Sequence, residues 1–391
     1  MKVNYKKIKE FAVIHSGTTP STSNPEFWNG DIKWLTPAEM KDGHNWYIND
    51  SQRKITNEAV KNKKLKILKP GTVLLTSRAP IGKVGLVEAP MGTNQGFKNI
   101  ECDTDIMNPE YLYFWLLGKK EYLNSLGRGA TFKEISKKIV EEISVPVPEL
   151  KVQNQIVKVL KQALELIEKR KSQITLLSLL TQSIFLDMFG DPYLNNKKWD
   201  VFSLGEICEI YNGSTPKSSI PEYWSGDIVW LTPSDLEPED NYFIFESERK
   251  ISQVGFEKTN LTLLPKGTVL LTSRAPIGKV AIAGRELCTN QGFKNLVCKE
   301  KVNNVYLYQY LLFHNQTLNN LGRGATFKEI SKSVVAKIKI PVPPVELQMQ
   351  YSNTVNKVEE QKELVKKSLT HLENNFNSIM QRAFKGKLFN D

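Results

Sequence analysis

The 391-residue chain is poor in the residue types that build metal and redox chemistry. Its four cysteines, Cys102, Cys208, Cys288 and Cys298, form no CxxC pair, and its four histidines are scattered. That spacing excludes a disulfide scaffold and speaks against a structural zinc site. Long apolar runs are missing too. The longest, at 111–117, falls far short of the ~18 residues that cross a bilayer, so no membrane partner is expected. The opening MKVNYKKIKEF carries charge but no apolar segment of the secretory kind, and a reduced cytoplasmic setting is the expectation. No tail or block holds charge of one sign. The excess of 53 basic over 42 acidic residues is spread along the chain, and 1–150 and 196–345 are each net basic. Such a spread suits two modules on one polyanion. The composition is otherwise that of ordinary globular protein, with length for two or three domains.

What the sequence does contain is written twice. Residues 16–40, SGTTPSTSNPEFWNGDIKWLTPAEM, return at 212–236 with 14 of 25 positions identical at an offset of 196. GTVLLTSRAPIGKV at 71–84 recurs unchanged at 267–280. TNQGFKN at 93–99 returns at 289–295, and LGRGATFKEIS at 126–136 returns at 321–331, at an offset of 195. A period this long is far beyond any solenoid unit and marks a duplicated domain.

Each copy closes on a proline-flanked segment, VPVPEL or IPVPPVEL, that reads as a short strand. A long stretch almost free of glycine and proline follows. In the first, spacing of four and three picks out Ile156, Leu160, Ala163, Ile167, Arg170, Ile174, Leu177, Thr181, Ile184 and Met188. In the second it picks out Tyr351, Val355, Val358, Lys362, Val365, Leu369, Leu372, Phe376, Ile379 and Ala383. A sustained 3.5-residue period marks a coiled-coil seam, and matched registers favour the two helices pairing antiparallel with each other. Such a seam spans roughly 50 Å at ~1.5 Å per residue. Arg170 and Lys362, near its middle, either fix register or snorkel to solvent.

Within each copy, DIKWLTP and GTVLLTS read as strands and 108–126 as one helix, capped by Asn108 with Pro109 in its first turn. Its counterpart is 303–321. The fold class is therefore α+β: two similar domains, 1–149 and 191–345, separated by an antiparallel pair of spacer helices at 150–190 and 346–391, with pseudo-two-fold symmetry.

Catalytic signatures are absent. No Asp/Asn-Pro-Pro-aromatic methyltransferase motif and no GxGxxG occurs, and APIGKV lacks the glycine at Ser77 and the hydroxyl at Val84 that a phosphate loop requires. No histidine recurs between copies. Cys102 and Cys298 correspond and read as buried core thiols. The pairs Trp28/Trp224 and Trp34/Trp230 read as core, with stacking on sugars or bases as the rival use.

The repeated loops supply polar groups suited to DNA. Arg78 and Lys83, with Arg274 and Lys279, could neutralise phosphates or bridge guanine O6 and N7. Asn94, Gln95 and Lys98, with Asn290, Gln291 and Lys294, flank glycines that let backbone approach closely; Asn or Gln can bond adenine N6 and N7 together. Arg128 and Lys133, with Arg323 and Lys328, border a Gly-Arg-Gly turn. The same identities would persist if the fold needed them as turns, caps and buried bonds. The less similar stretches 41–62 and 237–258 could carry whatever distinguishes the two domains.

Together, SGTTPSTSNPEFWNGDIKWLTP and its second copy, the VPVPEL and IPVPPVEL segments leading into long helices, and the closing NSIMQRAFKGKL make the chain resemble the DNA-specificity subunit of type I restriction–modification systems. The resemblance implies two target recognition domains reading the halves of a split site, with the helices as a ruler and no catalysis in the subunit itself. It implies partners: double-stranded DNA, two modification subunits that methylate adenine with S-adenosylmethionine, and restriction subunits that use ATP and Mg²⁺. No cofactor is expected on this chain. One departure is that WDVFSLGEI (199–207) has the expected opening, whereas Tyr5-Lys6-Lys7-Ile8 lacks its tryptophan. Because the two domains share long identical loops, the expected target is interrupted and near-palindromic. Two rivals are a scaffold or carbohydrate-binding protein using the repeated tryptophans, and a methyltransferase or nuclease with degenerate motifs.

Overall fold

The computed structural model describes residues 4–41, 45–78, 80–128, 133–236, 242–322 and 328–389. The chain divides into two compact units. Unit 1 comprises Met1–Lys169 with Leu369–Asp391, and unit 2 comprises Arg170–Ser368. Each is mixed helix and sheet.

In unit 1 a five-stranded sheet runs in the order Ala12–Ser16, Phe97–Cys102, Val73–Thr76, Val84–Val87, Asn45–Ile48. Only the last pairing is parallel. Val73–Thr76 and Val84–Val87 are buried at every position, as β-branched and aliphatic strands covered on both faces should be. A three-stranded sheet sets Trp28–Leu35 between Arg53–Ile55 and Met91–Thr93. A small ladder joins Tyr5–Lys7 to Ser144–Pro146, and proline ends it because it donates no ladder hydrogen bond. Unit 2 repeats this plan. Its five strands are Cys208–Asn212, Phe293–Cys298, Val269–Thr272, Val280–Ala283 and Phe243–Ile244.

The single helix read over 108–126 is corrected to two. Asn108 caps as its side chain accepts from the Glu110 and Tyr111 amides, but the helix Pro109–Leu117 stops at Gly118 and a second, Lys120–Ser125, follows. Glycine is a poor helix interior residue, and this one lies against Met380. In unit 2 the break falls at His314, between Asn304–Phe313 and Asn315–Leu321.

Two 40-residue helices, Leu150–Phe189 and Val345–Phe384, contribute to both units. In unit 1 the opening of the first (Ile156, Leu160, Leu164, Ile167) shares a core with the close of the second (Phe376, Ala383). In unit 2 the close of the first (Phe185, Phe189) meets the opening of the second (Tyr351, Val355). Start meets end in both, which is the antiparallel sense. Every one of the twenty seam positions is buried or half-buried. Off the seam, Val157 and Leu164 add apolar surface to the core of unit 1, and Phe185 and Phe189 add it to the core of unit 2. Lys362 does not snorkel: it is 1% exposed, with its ammonium 3.5 Å from Glu359. Arg170 is half-buried and donates to Gln173 at 2.7 Å.

Candidate nucleic-acid interface

The repeated loops of unit 1 meet at one end of its sheets. Ser77, just past Val73–Thr76, donates from its amide to the Gly96 carbonyl at 2.7 Å, and its own carbonyl accepts from the Ile135 amide at 2.9 Å. Those bonds join SRAPIG, NQGF and FKEIS into one cluster. Segment 17–21 closes over it. The Trp34 indole donates to the Thr18 carbonyl and the Trp28 indole to the Ser21 carbonyl, both at 3.0 Å. At Gly17 a Cβ would fall 1.9 Å from the Asn94 carbonyl oxygen, so only glycine permits the approach.

An ionic group sits at its centre. Glu134 accepts from Arg78 Nε at 2.9 Å on one oxygen and from Lys98 Nζ at 3.2 Å on the other. Lys98 also reaches the Ser77 hydroxyl at 3.3 Å. Burial would raise the Glu134 carboxyl, but the bonds from Lys98 and Arg78 outweigh it and hold the group below the usual carboxylate range. The Lys98 side chain is 6% exposed and that of Arg78 47%. The buried lysine thus fixes the carboxylate, the carboxylate holds Nε of the arginine, and the guanidinium lies at the surface.

Unit 2 repeats these bonds. Glu329 accepts from Arg274 at 3.0 Å and from Lys294 at 3.2 Å, and Lys294 reaches the Ser273 hydroxyl at 3.2 Å. The Ser273 amide donates to Gly292, and the Ile330 amide to Ser273. The Thr19 hydroxyl donates to Gln95, and Thr215 to Gln291. Gly213 stands where Gly17 does, 1.8 Å from the Asn290 carbonyl oxygen by the same measure.

The residues singled out from sequence therefore separate into kinds. Arg78, Gln95, Arg128 and Lys133 are exposed on one loop cluster, as are Arg274, Gln291 and Lys328 on the other. Arg128 and Glu134 exchange backbone hydrogen bonds at 3.0 and 2.9 Å, which puts Lys133 on the same rim. Arg323 lies outside the described residues. Lys98 and Lys294 are corrected from surface cations to interior ones. Lys83 and Lys279 are half-buried and donate to backbone carbonyls, of Met40 at 2.6 Å and of Leu236 at 2.7 Å. The Asn94 and Asn290 side chains accept from the Gly96 and Gly292 amides at 2.9 and 2.8 Å, closing local turns. Glu134 and Glu329 were not singled out, although both stand inside the repeated FKEIS.

The tryptophans are not an open platform. Trp34 and Trp230 are 2% exposed, and each meets its neighbour edge to face at 5.2 and 5.0 Å. Arg53 covers Trp28 at 3.9 Å and Arg249 covers Trp224 at 3.6 Å. Cys102 and Cys298 are half-buried rather than fully buried. Burial pushes the Cys102 thiol up to about 12, too high for a ready nucleophile. Among the described residues, no helix is long and apolar enough to cross a membrane.

The model of the type I restriction modification DNA specificity domain matches twice, over residues 2–176 and 196–374. The chain belongs to this family. A type I restriction enzyme specificity subunit of Methanocaldococcus jannaschii, MjaIX, is 38% identical over 226 residues, 54% of this chain and 52% of that protein. The chain thus matches about half the length of that relative. The MjaVIII specificity subunit of the same organism is 25% identical over 98% of this chain and 92% of its own length. Among solved structures, a chain from a study of complex assembly and conformational transition in the type I system superposes with a TM-score of 0.62 at 19% identity. That likeness covers 99% of this chain and 100% of the other. The crystal structure of the system's S subunit from M. genitalium gives 0.59 at 16% identity, over 98% and 96%. At those identities both likenesses bear on the fold.

Proposed function

We propose that this chain is the non-catalytic DNA-reading subunit of a type I restriction–modification assembly in the cytoplasm. Residues 1–149 and 191–345 each take one half of a split target, and the helices at 150–190 and 346–391 set the unspecified gap. Two modification subunits bring S-adenosylmethionine for adenine methylation, and restriction subunits bring ATP and Mg²⁺. This chain takes no cofactor. Family membership supports the reading, and one observation carries it: the arginine-bearing loop cluster is built twice with the same bonds. Exposed guanidinium groups held by a carboxylate suit a duplex, through either phosphates or the acceptor edge of guanine.

Like clusters further favour like half-sites, so the target is interrupted and near-palindromic. Mapping methylated adenines in host DNA with and without this subunit tests both statements. The expected result is one interrupted motif with matching inverted halves that vanishes without the subunit. Methylation that persists unchanged would remove the DNA-reading role. Two dissimilar halves would remove the palindrome alone.

A further inference from the structure

Three corresponding positions differ in kind between the units, and in each unit they meet at one place. In unit 1 they are Phe114, Ile156 and Phe376, which share one core, with the two phenyl rings 6.3 Å apart. At an offset of 195 the same positions in unit 2 are Gln309, Tyr351 and Thr181. There the Tyr351 hydroxyl donates to the Thr181 carbonyl at 3.3 Å and lies 3.5 Å from Gln309 Oε1 and from the Tyr242 hydroxyl. Tyr242 in turn donates to Gln309. All four are buried, and Phe185 and Phe189 lie against Tyr351 at 5.5 and 5.4 Å. One unit has an apolar set at this place and the other a polar, hydrogen-bonded set packed among aromatic rings.

The two 40-residue helices carry the same seam register at an offset of 195, so each can also meet its own kind from a second copy. Two arrangements compete. The first helix can pair with the second of its own chain, or two copies can pair first with first and second with second, as in domain exchange. We propose that the Phe-Ile-Phe and Gln-Tyr-Thr sets restrict pairing to the helices of one chain and reject a second copy. First-with-first pairing sets Thr181 beside Phe114 and Ile156, where a phenyl ring belongs, and leaves a void. Second-with-second pairing sets Phe376 against Gln309 and Tyr351, forcing a ring into space shaped for threonine among polar groups. Only first-with-second satisfies both sets. This inference rests on packing and is independent of any role in reading DNA.

An exchange of two side chains tests it. In the full-length protein, Thr181→Phe with Phe376→Thr mismatches these two sets in both pairings within a chain and matches them in both pairings between copies. Size-exclusion chromatography with light scattering should show a shift from the mass of one chain to that of two at micromolar concentration. A double variant that stays a single chain would overturn the proposal. Should the double variant fail to fold, the quadruple variant Thr181→Phe, Tyr242→Phe, Gln309→Phe and Tyr351→Ile decides, because it gives unit 2 the apolar set. It should melt above Thr181→Phe alone and populate both one-chain and two-chain masses. No recovery of the melting midpoint would also overturn the proposal.

Discussion

The two units agree where their loops gather and disagree where their helices pack. At the loop cluster the ionic bonds correspond within about 0.1 Å: 2.9 and 3.0 Å from arginine to glutamate, and 3.2 Å in both from lysine. At the helix-facing core, phenylalanine and isoleucine in unit 1 stand against glutamine, tyrosine and threonine in unit 2. Both places are packed, so packing alone does not explain which one stayed alike. Under the proposed function, a surface that meets the same chemistry twice would be held to one set of side chains. A helix interface is free to diverge, provided each face still matches its own partner.

The largest expected effect breaks the duplicate at its unlike end. Phe185 is fully buried and touches Phe189, Tyr306, Phe313 and Tyr351 by ring contacts, while its counterpart in unit 1 is the half-buried Met380. Phe185→Ala should lower stability by about 3–5 kcal/mol and Met380→Ala by about 1–2 kcal/mol, measured by urea unfolding. Equal losses would mean that the two helix interfaces are energetically alike despite their different side chains.

A smaller effect should fall equally on both units. Glu134→Ala leaves the Lys98 ammonium buried without its carboxylate, and Glu329→Ala does the same to Lys294. About 2–3 kcal/mol should be lost in either case, less than for a fully buried pair because each carboxylate keeps about a third of its side chain in solvent. Both carboxyls titrate below their ordinary range when folded. Their contribution is therefore complete above the unfolded value near 4.5 and fades as pH falls through the lowered folded values. Urea midpoints that differed between the two variants would show that like geometry conceals unlike energetics.

Much of this was legible in the sequence, for physical reasons that differ by element. The duplication is an identity of letters and needs no inference. The seam was legible because Ile156 to Met188 and Tyr351 to Ala383 repeat at the period of a coiled coil, which outlasts any single substitution. The apolar residues off the seam were not, since Val157, Leu164 and Phe185 fall between seam positions and gain meaning only with a domain beside them. The break at Gly118 was hidden by apolar residues on both sides. At the candidate interface, Arg78 and Gln95 were legible as polar loop residues. Lys98 was not, because lysine is almost never fully buried and nothing local signals it. Its partner Glu134 lies 36 residues away, and only the fold brings a carboxylate to that ammonium.

The smallest effect separates the units by pH. His314 ends a helix in unit 2 with its ring stacked on Tyr310 at 4.2 Å and against Tyr193 at 4.4 Å; the matching position in unit 1 is Lys119. Burial holds the imidazole below its ordinary value, although its bond to the Tyr310 carbonyl and the nearby Asp191 pull the other way. The unfolded chain accepts a proton near pH 6.5 that the folded unit resists. Stability of unit 2 should therefore fall as pH drops through 6.5 and level off below the lowered folded value, by less than either substitution above. His314→Gln should flatten that slope in denaturation followed between about pH 7.5 and about pH 5.5. A slope that survived the substitution would assign the acid sensitivity to groups other than His314, and the difference drawn from this residue would disappear.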